Sequence, residues 1–275
     1  MASETGHDET GIVFATTGET YTTLARRAAR TLRQVMPSAQ VDLFTNLEIT
    51  DPVFDRIHRL HDDFFRPKIH ALRASRFART LYLDADILMV APIGDVFEIL
   101  TRYDLVAAHG RYMNNDRMRQ APETILPAAF SQINSGVLGV SKSPETDTFL
   151  DLWKTTVRDT EAQYDQPALR DLLWKADLRP YILPPQYNLN GYHEIGRWDT
   201  RYAAPRVIHA PSLHRNYRDR SPETPLELSE VMGPAQRARL RVLGSADHRL
   251  EAHPAPRLSS SRPRRLAQRL LARFA

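Results

Sequence analysis

The sequence predicts an α/β fold in which a Rossmann-like, mostly parallel sheet is flanked by helices, in a single domain with a basic C-terminal tail. Short apolar segments typical of strands alternate with longer segments of helical periodicity, an order that indicates a doubly wound sheet. The 275 residues are 42% hydrophobic, which is enough to build the core of one sizeable domain. In sheets of this kind, ligands bind at the carboxyl ends of the strands.

The first half of the chain contains four predicted strands, at 11–16, 40–45, 56–60 and 81–90. Two helices are predicted between them, at 21–35 and 68–77. The first helix is indicated by Leu24, Ala28 and Leu32, which recur on one helical face.

The chain beyond residue 100 is predicted to contain three further strands and two helices. The strands are predicted at 104–108, 133–140 and 206–210, and the helices at 144–157 and 166–174. Segment 111–127 is polar and has no clear period, so it is predicted to be a long loop or lid near the site. Segment 180–190 is interrupted by prolines and is predicted to be extended.

The predicted main domain spans 11–220 and follows a disordered N-terminus at 1–10. Beyond it the chain is richer in proline, arginine and serine, which predicts an extension at 221–251 and then a linker and basic amphipathic helix at 252–275. Within 262–275, apolar residues at i, i+4 and i+8 share one helical face, namely Leu266, Leu270 and Phe274. Such a segment lies on an anionic membrane surface, packs on its own domain, or is a solvated tail.

The composition narrows the possible functions. No run of 18 apolar residues is present, which excludes a transmembrane helix, and the polar, acidic segment 1–9 does not resemble a signal peptide. The absence of cysteine excludes disulfides, cysteine–metal sites and thiol catalysis, and it fits a reducing cytoplasm. The formal charge of +4 is concentrated in the tail, so the sequence does not indicate a strongly basic nucleic-acid face on the main domain. We therefore expect a cytoplasmic protein. Its segment 262–275 could in addition bring it to the inner membrane surface.

The most informative feature is a pair of acids, Asp84 and Asp86, within the apolar segment 81–90. In an extended chain the two carboxylates point to the same side, about 7 Å apart. Buried carboxylates need a neutralising partner, and hard oxygen ligands favour Mg²⁺ or Mn²⁺. A metal held at a strand end commonly bridges to phosphate oxygens, so the pair predicts a phosphorylated or nucleotide-activated substrate.

Three interpretations of the acid pair compete. In the first, the acids are structural, capping a loop or pairing with arginines. In the second, the chain is a haloacid-dehalogenase-like phosphatase, or a nucleotidyltransferase, that uses the same pair, with the first acid as nucleophile in the phosphatase. The phosphatase motif has Thr or Val where this chain has Leu88, and it sits on the first strand, whereas other strands precede the pair here.

Seven short motifs favour a third interpretation. In chain order they are Thr16-Thr17-Gly18-Glu19-Thr20-Tyr21, Lys68-Ile69-His70, Asp84-Ala85-Asp86, Asn134-Ser135-Gly136-Val137, Asp165-Gln166, Leu183-Pro184-Pro185-Gln186-Tyr187-Asn188 and Val207-Ile208-His209. In type, order and spacing they resemble family 8 of the glycosyltransferases, the glycogenin-like family. The resemblance implies a GT-A fold and a metal-dependent glycosyltransferase that moves a sugar from a nucleotide-diphosphate donor, a UDP-sugar by analogy, with retention. It implies Mn²⁺ or Mg²⁺ as cofactor and a glycan, lipid-linked or small-molecule acceptor.

The resemblance also implies roles for individual residues. The metal ligands would be Asp84, Asp86 and His209, and the nucleotide would contact Thr16, Thr17, Tyr21, Lys68, Ala85 and Arg215. The donor sugar would contact Asn134, Ser135, Gly136 and Asp165, and catalysis would involve Asp165, Asn134 and Gln166. Structural alternatives remain open at this point: a helix cap for Asp165 and the threonines, a strand-edge turn for Asn134, and a core or surface position for His209 and Lys68.

The chain departs from the family pattern at several places, which makes it a distant member. Ser212 stands where the family often has glycine, and Arg215-Asn216-Tyr217 stands where it has Lys-Pro-Trp. Ala162 replaces an acid three residues before the Asp-Gln pair. A non-catalytic scaffold that binds a nucleotide-sugar is the remaining alternative, and the presence of the acids of the motifs argues against it.

Overall fold

The computed structural model describes residues 8–61, 66–112, 126–160, 164–215 and 220–250. Within these ranges the strands are β1 (Asp8–Thr16), β2 (Val41–Thr45), β3 (Arg56–Arg59), β4 (Phe77–Leu83), β5 (Ile87–Met89), β6 (Leu105–His109), β7 (Ile133–Ser141), β8 (Pro180–Leu183) and β9 (Val207–His209). Seven of them form one sheet in the order β3-β2-β1-β4-β7-β6-β8, and β5 pairs with β9 in a small second sheet.

The large sheet is mostly parallel, as the sequence predicts. Strands β3, β2, β1 and β4 run in the same direction. Strand β7 is antiparallel to both of its neighbours, β4 and β6, and β8 is parallel to β6. The carboxyl ends of β1, β2 and β4 therefore lie at one edge of the sheet, where ligands bind in folds of this kind.

Helices cover both faces of the large sheet. In the described ranges they are α1 (Gly18–Val35), α2 (Pro67–Ala74), α3 (Val96–Ile99), α4 (Pro144–Asp159), α5 (Gln166–Lys175) and α6 (Pro234–Ala246). The apolar side of α1, with Leu24, Ala28 and Leu32, packs in one core cluster. Helices α2, α4 and α5 contribute to a second cluster, which contains the fully buried Trp153. None of the described helices is long and apolar enough to cross a membrane.

The prediction of one continuous strand over 81–90 is wrong. Strand β4 ends at Leu83, and the chain leaves the large sheet to form β5, which pairs with β9. Asp84 and Asp86 therefore lie in the connection between two strands of different sheets, not within one buried strand. The backbone of this connection is held on both sides, because Asp84 N donates to Gly136 O at 2.9 Å and Ala210 N donates to Asp86 O at 2.9 Å.

The helix predicted at 68–77 also ends early, at Ala74. Ser75 ends it, because its buried hydroxyl accepts hydrogen bonds from Phe77 N at 3.3 Å and from the Thr80 hydroxyl at 2.7 Å. Phe77 can then enter β4 with its side chain fully buried.

The C-terminal part of the described chain contains a helix that the sequence did not predict, α6. Segment 220–250 packs against α1 through a buried ion pair, in which Arg27 donates to both oxygens of Glu230 at 2.7 and 3.1 Å. Arg27 also donates to the carbonyls of Thr224 and Pro225, and it is only 2% exposed. The predicted linker and basic helix at 252–275, most of the predicted loop at 111–127 and most of the N-terminus at 1–10 lie outside the described residues.

Candidate active site

Three potential metal ligands meet beside the edge of the sheet. The register of β5 with β9 pairs Ile87 with His209, which brings the histidine next to the two acids of the preceding connection. Its Nε2 lies 3.2 Å from Asp86 Oδ1 and 3.9 Å from Asp84 Oδ2. One ligand atom from each of the three side chains lies within 4.8 Å of the others. This cluster joins residues that are far apart in the sequence.

The donor set fits a divalent cation. Two carboxylates and one imidazole suit a hard or borderline ion such as Mg²⁺ or Mn²⁺. Burial alone raises the pKa of Asp86, but His209 and then His214 outweigh it and hold the pKa well below its ordinary range. Asp86 is therefore ionised at neutral pH, the state that a metal ligand requires.

A second charged group adjoins the three ligands. The buried Nζ of Lys68 lies 3.0 Å from Asp84 Oδ1 and 3.5 Å from Asp165 Oδ2, so it bridges the two acids. It also donates to Ser135 Oγ at 3.0 Å, and that hydroxyl in turn donates to Asp165 Oδ2 at 3.0 Å. Tyr82 completes the arrangement by donating its hydroxyl to Asp84 Oδ1 at 2.6 Å.

The charges of Lys68 and Asp165 stabilise each other. Burial lowers the pKa of Lys68, but Asp165 and Asp84 together raise it above its ordinary value. Burial raises the pKa of Asp165, but Lys68 chiefly outweighs it and the net pKa is lowered. Both groups are therefore charged at neutral pH, and the ionised carboxylate of Asp165 lines the cavity beside the ammonium group of Lys68.

Asp165 does not cap helix α5. It occupies the N-cap position, yet its side chain makes no capping hydrogen bond. Its backbone carbonyl accepts from Trp153 Nε1 at 3.0 Å, which anchors the residue to α4. The carboxylate is directed instead toward Ser135 and Lys68.

A cavity of about 480 Å³ opens beside these groups, a size typical of a small-molecule site. It is lined by residues from five parts of the chain, among them Thr16, Thr17, Tyr21, Arg66, Lys68, Asp84, Ala85, Asp86, Tyr164, Asp165, Gln166 and His214. The turn from β1 to α1 forms one wall, and Gly18 adopts a φ of 75° there, which glycine tolerates. Asn46 Oδ1 holds this turn by accepting from Gly18 N at 2.9 Å.

Asn134, Ser135 and Gly136 lie at the start of β7, next to His209. Gly136 has no room for a side chain, because an added Cβ would lie 2.5 Å from His209 Cε1. Asn134 Oδ1 accepts from Gly136 N at 2.8 Å and from Asn188 Nδ2 at 2.8 Å.

Nine of the fourteen site residues predicted from the sequence line the cavity. Asn134, Ser135, Gly136 and His209 do not line it, but their hydrogen bonds and ion pairs tie them to Asp84, Asp86 and Asp165. Arg215 is exposed at the end of the turn that follows β9 and is not among the residues that line the cavity. The hydroxyl of Thr16 is hydrogen-bonded to the Thr22 hydroxyl at 2.9 Å. Thr16 therefore lines the cavity with its other atoms, not with a free hydroxyl.

Sequence reasoning missed three residues of the site, His214, Tyr82 and Asn188. His214 Nε2 lies 3.1 Å from Asp86 Oδ2, and its ring packs edge-on against Tyr21 at a centroid distance of 5.0 Å. The strand period of two could have identified Tyr82, since it precedes Asp84 by two residues and shares its side of the chain. Asn188 lies in a recognised motif but had no assigned role; it is hydrogen-bonded to His209.

Solved glycosyltransferases share this fold. The galactosyltransferase LgtC, in complex with donor and acceptor sugar analogues, is 14% identical, with a TM-score of 0.53 over 89% of this chain and 98% of LgtC. Apo GlyE of Streptococcus pneumoniae TIGR4 is 15% identical, with a TM-score of 0.55 over 86% of this chain and 63% of GlyE. The apo bifunctional glycosyltransferase WbbM is 10% identical, with a TM-score of 0.50 over 88% and 53% of the two chains.

The sequence itself shows the family. No curated protein matches this chain in sequence. Residues 67–219, however, match the nucleotide-diphospho-sugar transferase family, and this range holds Lys68, Asp84, Asp86, Asp165 and His209. Since the match covers more than half of the chain, the protein belongs to the nucleotide-diphospho-sugar transferase family and is a glycosyltransferase with the GT-A fold.

Proposed function

We propose that this glycosyltransferase is metal-dependent and transfers a sugar from a UDP-sugar with retention of anomeric configuration. The observation that carries the proposal is the meeting of Asp84, Asp86 and His209 within 4.8 Å beside the cavity. These three residues would hold Mn²⁺, with Mg²⁺ as the alternative. The metal would neutralise the negative charge that the leaving diphosphate gains in the transition state.

The nucleotide would lie along the wall formed by the turn between β1 and α1. Tyr21 is 45% exposed, so its ring is available to stack on the base, and Thr17 can bond to the base or the ribose. The backbone of Ala85 would approach the ribose. Uridine is proposed from the likeness to family 8, since none of the residues in this wall distinguishes the bases by itself.

The donor sugar would lie between the metal ligands and Asp165. The carboxylate of Asp165 would hold sugar hydroxyls or stabilise the positive charge that develops at the anomeric carbon, while Lys68 would face the diphosphate. Asn134 and Gln166 would contact the sugar from the side of β7 and α5. Ser135 is fully buried and would act through Asp165, to which its hydroxyl donates. Because Asp165 is the buried carboxylate on the sugar side, and one of its oxygens is engaged by Lys68 and Ser135, we favour front-face displacement over a covalent intermediate.

The other assignments fit the site less well. A phosphatase would need one acid free to act as nucleophile, whereas both acids here are engaged by cationic partners, Asp84 by Lys68 and Asp86 by His209. A non-catalytic scaffold would have no need for the buried charge pair of Lys68 and Asp165.

Removal of the metal is expected to abolish nucleotide binding. Calorimetry with UDP should give a clear binding signal with Mn²⁺, a weaker one with Mg²⁺ and none in EDTA. The physical reason is that the cavity places two carboxylates near the diphosphate, which would repel it without the cation. Equal affinity for UDP in EDTA would contradict the proposal, and GDP and ADP measured under the same conditions test the choice of base.

We further propose a cytoplasmic location with peripheral membrane contact through 262–275. The proposal is supported by the absence of cysteine and by the arginines that surround Leu266, Leu270 and Phe274 in the sequence. Deletion of 263–275 is expected to abolish sedimentation with anionic vesicles at low salt and to leave donor hydrolysis unchanged. Neutral vesicles serve as the control, and a full-length chain that fails to sediment with anionic vesicles would contradict the proposal.

A further inference from the structure

The proposed metal ligand His209 is held from behind by two side-chain amides. Its Nδ1 lies 2.9 Å from Asn188 Oδ1, on the side of the ring opposite to Asp86. Asn188 Nδ2 donates to Asn134 Oδ1 at 2.8 Å, so the two amides form a continuous hydrogen-bonded chain. His209 and Asn188 are each 5% exposed, so water has little access to this chain.

The direction of every hydrogen bond in this chain follows from one backbone group. Gly136 N–H can only donate, and its acceptor at 2.8 Å must therefore be the oxygen of the Asn134 amide. That oxygen can only accept, so Asn188 must turn its NH₂ group toward Asn134 and its own oxygen toward His209. An amide oxygen facing Nδ1 requires a proton on Nδ1.

We propose that Asn188 and Asn134 are positioning residues that keep the proton of His209 on Nδ1, so that Nε2 is the atom presented to the metal. The inference rests on the proposed metal function of His209. The ring also packs closely against Gly136, where an added Cβ would lie 2.5 Å from His209 Cε1, so the imidazole has little room to rotate. Outer partners of this kind orient ligand histidines in metal sites.

The same chain limits what Asn134 can do for the sugar. Its oxygen accepts from both Gly136 and Asn188, which uses both lone pairs. The NH₂ group of Asn134 is thus the part that can bond to a sugar hydroxyl, and it can do so only as a donor.

The amide chain can be tested in the wild-type protein without any metal. Two-dimensional ¹H–¹⁵N spectra of ¹⁵N-histidine-labelled protein at alkaline pH, where the ring is neutral, report which nitrogen carries the proton. The His209 signals are assigned by their loss in His209→Gln. We expect a proton on Nδ1 and a bare Nε2; a bare Nδ1 would overturn the proposal, whether or not the protein binds metal.

Two substitutions at Asn134 separate orientation from simple packing. Asn134→Asp keeps an acceptor for both Gly136 and Asn188, so the Nδ1 proton should remain. Asn134→Leu removes that acceptor and frees the Asn188 amide to rotate, so the Nε2-protonated form should appear in the spectrum. Identical tautomers in the two folded variants would contradict a role for Asn134.

The consequence for metal binding is measured with Asn188→Leu. The dissociation constant of Mn²⁺ from electron paramagnetic resonance should rise by about 10- to 100-fold, the usual effect of losing an outer partner of a ligand histidine. The melting temperature, measured in parallel, shows whether the variant is folded. A folded variant with wild-type Mn²⁺ affinity would overturn the positioning role. A wild-type protein that binds no Mn²⁺ would instead refute the proposed metal function and leave the tautomer result standing.

Discussion

Asp86→Asn is expected to lower sugar transfer by about a thousandfold or more while leaving the protein folded. Asp86 contacts His209 through one carboxylate oxygen and His214 through the other, so it is the acid at the centre of the proposed metal site. A metal ion supplies several kcal/mol of transition-state stabilisation, and about 4 kcal/mol corresponds to about a thousandfold in rate. Asparagine has nearly the same shape but no charge, so the loss should appear in activity and in Mn²⁺ affinity together.

The matched control is Asp104→Asn. Asp104 precedes β6, at the opposite end of the sheet from the site. Its carboxylate accepts hydrogen bonds from the backbone N–H and the guanidinium group of Arg179. Its substitution should leave the rate of sugar transfer within about twofold of wild type. A twofold change in rate corresponds to about 0.4 kcal/mol in activation free energy. Transfer by Asp86→Asn within tenfold of wild type at saturating Mn²⁺ would refute the metal role of Asp86.

Asp165→Asn is expected to reduce donor turnover by two or more orders of magnitude with little change in UDP affinity. The carboxylate lines the cavity where the donor sugar is proposed to lie and makes no capping hydrogen bond, so its charge would be available to the sugar. Removing one preorganised electrostatic partner of a transition state typically costs about 10²- to 10³-fold in rate. Binding of UDP should persist, because Lys68 keeps its other partner, Asp84, at 3.0 Å.

Asp171→Asn on the same helix is the control for this substitution. Asp171 is buried and pairs with Lys175 on the same helix. We expect Asp171→Asn to affect the free energy of unfolding rather than turnover. If Asp165→Asn itself showed normal turnover and only a loss of stability, Asp165 would be a structural partner of Lys68 and Ser135 and not a catalytic residue.

The sequence predicts the residue types of the site better than their arrangement. Asp84, Asp86 and His209 could be identified from motifs, yet the pairing of β5 with β9 that unites them depends on contacts between distant parts of the chain. The strand break at Leu83 was not predictable from hydrophobicity, because apolar residues continue on both sides of the acids. Asp84 and Asp86 therefore approach Nε2 of His209 from the connection between two strands, instead of pointing to the same side of one strand.

Helix α6 was missed for a related reason. Its buried residues, Leu240 and Leu243, follow or flank Arg237, Arg239 and Arg241, so the sequence of this segment resembles a polar and basic extension. Hydrophobic periodicity fails where only a few side chains of a helix enter the core. His214 was missed because a single histidine in a short turn carries no pattern; only its position against Asp86 and Tyr21 reveals it.

The ion pair between Arg27 and Glu230 has a consequence for the order of events during synthesis. The two residues are 203 positions apart, and within the described residues the side-chain hydrogen bonds of Arg27 go to the segment that contains Glu230. At about 5–20 residues per second, a ribosome adds that segment about 10–40 s after it has made helix α1. During this interval the nascent chain carries a cation that it cannot yet bury, so α1 cannot reach its final packing. The last-made part of the described chain thus completes the burial of the first-made helix, and a nascent chain released early would expose that face to chaperones and proteases.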